Sequence, residues 1–85
     1  MMNIRWSPAA LEDYHYWQKK NPKKAERINE LLKDCKKNPF KGIGKPELLK
    51  GNLGGFWSRR IDSEHRLVYM VTKGTLTIIQ CRFHY

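Results

Sequence analysis

Between Gly55 and Tyr85 the chain reads Gly-Phe-Trp-Ser-Arg-Arg-Ile, Arg-Leu-Val-Tyr-Met-Val-Thr and Thr-Leu-Thr-Ile-Ile-Gln-Cys-Arg-Phe-His-Tyr. Apolar, aromatic and β-branched residues dominate each run, and short polar breaks separate them. This is the pattern of consecutive antiparallel strands. The last run continues to Tyr85, so the strand it predicts carries His84 and Tyr85 at its far end.

The first half has a different period. Asn3-Ile4-Arg5-Trp6 alternates briefly and predicts a short strand. Ser7-Pro8 then opens a helix, because the hydroxyl can cap and proline fits the first helical position. Ala10, Leu11, Tyr14 and Trp17 form its apolar stripe, with Glu12 and Asp13 placed toward the positive end of the dipole. Asn21-Pro22 repeats the start signal. Ala25, Ile28, Leu31, Leu32 and Cys35 mark the face of a second helix, which Lys36, Lys37 and Asn38-Pro39 bring to an end. The order is therefore β-α-α-β-β-β. It predicts an α+β fold: a small twisted antiparallel sheet backed on one face by two N-terminal helices. At 85 residues the chain is expected to form one domain, residues 1–85.

From Pro39 to Gly55 the composition shifts. Five of the six glycines fall here, beside Lys41, Lys45, Pro46 and Lys50. Gly42-Ile43-Gly44-Lys45 lacks phosphate-loop spacing and no helix follows it. A lysine-bearing loop beside an arginine-bearing sheet reads better as the rim of a groove for a phosphodiester backbone.

The turn at Thr72-Lys73-Gly74 decides which side chains share a face. A two-residue Lys73-Gly74 turn pairs Thr72 with Thr75 and sends Arg66 and His84 to opposite faces. A three-residue loop with a bulge at Gly74 pairs Val71 with Thr75. It gathers Leu67, Tyr69, Val71, Ile79, Cys81 and Phe83 on one face, and Arg66, Val68, Met70, Ile78, Gln80, Arg82 and His84 on the other. The bulged turn is preferred because it separates a core face from a chemical one. The same alternation turns Trp57 and Ile61 inward and Ser58 and Arg60 outward, and leaves Arg59 without an obvious place.

Charge narrows the partners. Seventeen Lys and Arg against eight Asp and Glu give a formal net charge of +9, which favours a polyanion. Cys35 and Cys81 show no metal spacing. They read as buried thiols in a reducing compartment, with a single disulfide as the alternative. No signal-like or membrane-spanning run is present, so a cytoplasmic protein without a membrane partner is expected. The Lys19-Lys20 to Lys23-Lys24 cluster reads as a solvated helix junction or a ribosomal RNA contact. His15 and His65 read as surface residues.

Several segments together resemble the YoeB toxins of the RelE/ParE superfamily. They are Ile4-Arg5-Trp6-Ser7, Asp13-Tyr14-x-Tyr16-Trp17, Lys45-Pro46-Glu47, Lys50, Gly55–Ile61, Glu64–Tyr69 and Cys81-Arg82-Phe83-His84-Tyr85. Two departures flank the motif: Leu48 stands where a proline is expected, and Phe83 where a tyrosine is common. The resemblance implies a type II toxin that cuts mRNA on the ribosome and is neutralised by a cognate acidic, YefM-like antitoxin. It implies Glu47 as general base, His84 as general acid, Arg66 as the phosphate-stabilising cation and Tyr85 as the residue completing the site. Lys50 and Arg60 would contact the RNA backbone. Implied partners are mRNA, ribosomal RNA and the antitoxin, with a homodimer as a further option.

The residue types fit this chemistry. RNA is cut without metal when a base takes the 2′-hydroxyl proton, an acid protonates the leaving 5′-oxygen and a cation stabilises the phosphorane. No His, Cys and carboxylate cluster has zinc spacing, so no cofactor is expected. Two rival readings stay open. One is a non-catalytic toxin of the same fold that binds a protein target such as DNA gyrase. The other is a basic RNA-binding module, which needs the cations but not Glu47. Taken singly, Arg66 could pair with Glu64 or Asp62, and Tyr85 could simply pack.

Overall fold

The computed structural model describes residues 2–50 and 55–83. Its elements are β1 (Asn3–Trp6), α1 (Pro8–Lys20), α2 (Pro22–Lys37), β2 (Glu47–Leu48), β3 (Phe56–Arg60), β4 (Arg66–Thr72) and β5 (Thr75–Gln80). The five strands form one sheet in the order β1-β5-β4-β3-β2. The α+β architecture with two N-terminal helices is the one expected. The sheet, however, is mixed: β1 runs parallel to β5, while the other neighbours are antiparallel. A parallel partner needs a long crossover, and the two helices and three strands between β1 and β5 supply it. The two-residue strand β2 was not expected, because two residues carry no periodic signal.

Both helices begin and end where local chemistry directs. The Ser7 hydroxyl accepts the Ala10 N–H at 3.1 Å, and Pro8 follows it at the first helical position. Asn21 and Asn38 close α1 and α2 through their backbone N–H groups. Asn21 makes no side-chain cap for α2. Ala25, Ile28, Leu31, Leu32 and Cys35 are all buried, as their spacing predicts. On α1, Ala10 and Trp17 are buried, but Leu11 is left 40% exposed. Asp13 lies beyond the first turn and serves a different end, described below.

The helices pack on the face formed by Leu67, Tyr69, Leu76, Ile78 and Cys81, with Ile4, Trp6, Trp57 and Val71 at its margin. The hairpin register corrects one expectation. Thr72 pairs with Thr75, Val71 with Leu76 and Tyr69 with Ile78, so the turn is the two-residue Lys73-Gly74 form. The irregularity sits inside the ladder instead: Ile79 is extra between the Tyr69–Ile78 and Val68–Gln80 pairs. A one-residue slip exchanges faces. Leu76 and Ile78 therefore point inward, where Ile79 was expected. Beyond the bulge, Gln80 shares the outer face with Val68, and Cys81 points inward, as expected. Phe83 does not join the core; it is 54% exposed.

Arg59 has a definite place. It lies on the inner face between Trp57 and Ile61 and is fully buried. Its guanidinium binds Asp34 Oδ2 at 2.6 Å and the carbonyls of Asn38, Lys41 and Ile43 at 2.7, 2.9 and 3.1 Å. Its Nε donates to the Tyr69 hydroxyl, which donates in turn to the Pro39 carbonyl at 2.6 Å. Together these charge-assisted bonds tie the loop that follows α2 to α2 itself and to the sheet. The Arg59 hydrogen bonds hold the Asp34 carboxyl below the usual carboxylate range. Burial pushes the Tyr69 hydroxyl well above its usual range. The loop glycines serve this packing. At Gly42, φ is +128° and a Cβ would lie 1.9 Å from Asp34 Oδ2. At Gly44, a Cβ would strike the Leu31 side chain at 2.7 Å.

Candidate functional site

The face of the sheet away from the helices carries three of the expected site residues, Glu47, Arg60 and Arg66. Glu47 of β2 lies directly opposite Ser58 of β3, Ser58 opposite Val68 of β4, and Val68 opposite Gln80 of β5. One row of side chains thus crosses four strands on this face. The next row toward the site end pairs Arg60 with Arg66. Ser58 and Val68 are buried and form a closed floor. Glu47 and Arg60 are exposed and Arg66 half-buried around it. Given strands about 4.8 Å apart and a rise of about 3.3 Å per residue, the Glu47 and Arg66 Cα atoms lie roughly 12 Å apart. A ribose and its 3′-phosphate fit between two such side chains.

The individual side chains differ in freedom. Among the described residues, Glu47 and Arg60 make no side-chain hydrogen bond or ion pair, so both are available to a ligand. Arg66 is oriented by its own neighbourhood. Its Nη1 donates to the carbonyls of Asp62 and His65 at 2.8 and 3.0 Å, leaving Nε and Nη2 without a partner among the described residues. It pairs with neither the Asp62 nor the Glu64 carboxylate. Asp62 instead binds Lys24 at 2.5 Å. Its Oδ1 also accepts the N–H groups of Glu64 and His65, which forms the 61–65 turn that delivers Arg66 to the face. Burial alone would raise the Asp62 carboxyl. Lys24 and the two N–H groups outweigh it and hold the group down to about 2. Lys24 thus has a structural role, whereas Lys19, Lys20 and Lys23 are exposed.

Lys50 follows β2 and is exposed, as are Lys41 and Lys45. His84 and Tyr85, expected as acid and site-completing residue, lie outside the described residues. The segment that leads to them is described in detail. Asp13 of α1 accepts the Cys81 N–H at 3.1 Å, and the Trp17 indole N–H donates to the Cys81 carbonyl at 2.8 Å. Arg82 stacks over the Tyr16 ring at 3.5 Å. Phe83 follows with φ at +67°. Its N–H donates to His65 Nδ1 at 2.7 Å, and its carbonyl accepts the Arg66 N–H at 3.1 Å. His65 is accordingly no surface residue: its side chain is 12% exposed and stands edge-on to Trp17 at 4.8 Å. Burial raises the Asp13 carboxyl and pushes the Cys81 thiol up to about 12. Cys35 and Cys81 are both buried free thiols.

Residues 6–85 match the YoeB-like toxins of bacterial type II toxin–antitoxin systems. The chain belongs to this family.

Its relatives agree along the full length. Toxin YoeB of Escherichia coli K12 is 55% identical over 84 residues, covering 99% of this chain and 100% of the relative. Toxin YoeB of Streptomyces coelicolor is 51% identical over the same shares. Among solved structures, a YoeB/ParE toxin from Agrobacterium tumefaciens superimposes with a TM-score of 0.94 at 46% identity, covering 99% of this chain and 100% of that one. The Staphylococcus aureus YoeB dimer gives 0.92 at 52% identity, covering 99% and 98%. The S. aureus YoeB–YefM complex gives 0.91 at 52% identity, covering 100% and 99%.

The two departures from the YoeB pattern are both exposed side chains. Leu48 is half-exposed at the edge of the sheet, opposite Trp57. Phe83 exposes its ring, and only its backbone groups are engaged in hydrogen bonds. Sequence reasoning missed His65, Asp13 and Trp17 as holders of the C-terminal segment. The one available sign was that His65 immediately precedes Arg66.

Proposed function

We propose that this YoeB-family toxin is a ribosome-dependent mRNA endoribonuclease that works by general acid–base catalysis. The observation that carries the reading is the row Glu47–Ser58–Val68 with Arg66 and Arg60 beside it. It sets a carboxylate and two guanidinium groups on one open face of the sheet. A module that only bound RNA would have no use for Glu47 among these cations.

In this reading Glu47 takes the proton of the ribose 2′-hydroxyl. The O2′ then attacks the adjacent phosphorus in line with the leaving 5′-oxygen. Arg66 neutralises the charge that grows on the non-bridging oxygens, where a fixed donor acts most strongly. His84 gives its proton to the 5′-oxygen, and Tyr85 completes the site beside it. The products are a 2′,3′-cyclic phosphate and a 5′-hydroxyl. Lys50 and Arg60 hold neighbouring phosphates. The cytoplasm, where mRNA and ribosomes are found, is the corresponding compartment. An acidic antitoxin of the YefM kind would lie over the basic face and exclude RNA; the S. aureus relative forms a complex of that composition.

The test is cell-free translation with purified protein and mapped RNA ends. Ribosome-bound mRNA cut to 2′,3′-cyclic or 3′-phosphate ends is the expected result, reversed by the antitoxin. Ends bearing a 3′-hydroxyl, or inhibition of translation with intact mRNA, would overturn the mechanism.

A further inference from the structure

Both backbone groups of Phe83 are held by consecutive residues. His65 Nδ1 accepts its N–H at 2.7 Å, and the Arg66 N–H donates to its carbonyl at 3.1 Å. The residue that follows in the chain is His84, and the residue that holds the carbonyl is Arg66. We propose that His65 is a positioning residue: it fixes the backbone of Phe83 beside Arg66 and so sets the point from which the chain continues to His84, the acid of the nuclease reading. The inference rests on the nuclease reading of the face.

Several observations converge on this role. The Phe83 conformation is left-handed, at φ +67°, a region a non-glycine residue occupies only when its surroundings over-determine it. On Phe83 itself the backbone bonds come from His65 and the Arg66 N–H; upstream, Asp13 and Trp17 bind Cys81, and Arg82 stacks on the Tyr16 ring. Strand β5 has already ended at Gln80, so no ladder holds residues 81–83. The His65 ring is itself locked. Trp17 stands edge-on against it, and the residue's backbone N–H is tied to the Asp62 carboxylate at 2.6 Å. Because Nδ1 accepts, the neutral ring carries its proton on Nε2, which lies 3.8 Å from Glu64 Oε1. A second-layer imidazole held this firmly is poorly explained by packing alone, since an apolar ring would serve against Trp17.

The experiment compares three substitutions at one position. In His65→Asn the side-chain oxygen can take the place of Nδ1. In His65→Gln the oxygen lies one bond further out, and His65→Leu has no acceptor. Each variant is read by single-turnover cleavage of ribosome-bound mRNA, by ribosome affinity, and by hydrogen exchange at the Phe83 amide. The Gln and Leu variants are expected to cut about 10- to 100-fold more slowly with unchanged affinity, the cost of a misplaced reacting group. Their Phe83 amide should exchange faster. The Asn variant should cut within about threefold of wild type and keep the amide protected. Equal rates in all three variants, whether fast or slow, would overturn the proposal. If Leu fails to fold, the contrast of Asn with Gln still decides. A wild-type protein that cuts nothing would overturn the nuclease reading, while the exchange rates would still report whether His65 holds Phe83.

Discussion

Arg60 and Arg66 stand directly opposite each other across β3 and β4. Like charges in facing positions cost the sheet about 0.2–1 kcal/mol, and folding alone gives no reason to keep them. An RNA phosphate placed between them gives one. Arg60→Gln is therefore expected to raise Tm by a few degrees while weakening binding to RNA. The slope of log affinity against log salt should fall by roughly 0.7, the value for one phosphate contact on a single strand. A melting curve and a salt titration check both halves. A variant that lost stability and kept its salt slope would contradict the reading.

Arg59 carries no such functional cost. It is sealed in the core with Asp34, Tyr69 and three carbonyls. Arg59→Met would strand those acceptors and is expected to destabilise the fold by about 3–5 kcal/mol, as when one partner of a buried ion pair is removed. Urea unfolding measures this. Asp34→Asn should cost less, because its amide oxygen can still accept from Arg59 and from the Ile43 N–H.

These two arginines show what the sequence could and could not reveal. Both helices and every strand but the two-residue β2 followed from period, and Ser7-Pro8 and Asn38-Pro39 marked helix ends correctly. The alternation Trp57, Arg59, Ile61 already placed Arg59 inward. It was hard to accept because its partners come from positions 34–43 and from Tyr69, which no local pattern links to it. The hairpin register was misjudged for a similar reason. A bulge at Gly74 and a bulge at Ile79 both put Gln80 on the outer face and Cys81 on the inner one, and only the burial of Leu76 and Ile78 separates them. Glu47, Arg66 and Arg60 were singled out by the family resemblance, and the ladder brings them to one face. His65 could not be found, since its role depends on a turn centred on Asp62 and on the backbone of Phe83.

The turn also sets an acid limit to stability. The Asp62 carboxyl is depressed to about 2 from an ordinary 3.8, so the folded state favours its charged form. The resulting stabilisation, about 2 kcal/mol, is fully present above pH 4 and disappears as pH falls through 2. Lys24→Met should remove much of it and flatten the pH dependence in that window, leaving stability near neutrality lower than in wild type. Denaturant midpoints between pH 2 and 6 give the comparison.

Toxicity provides a test in cells. Expression of the chain alone should arrest growth, and coexpression with a YefM-type antitoxin should restore it. Glu47→Gln should abolish the arrest while leaving the protein folded, because Glu47 is exposed on the sheet edge and makes no side-chain hydrogen bond or ion pair among the described residues. Unimpeded growth on strong expression of the wild-type chain would count against the toxin mechanism.

The most direct measurement is the single-turnover rate at which wild type and Glu47→Gln cut mRNA on the ribosome, with affinity measured separately. Substitution of the base should slow the chemical step by about 10²- to 10⁴-fold. Binding, which is spread over many Lys and Arg residues, should barely change. Cleavage by Glu47→Gln at the wild-type rate would contradict the assignment of this sheet face as the site of acid–base catalysis.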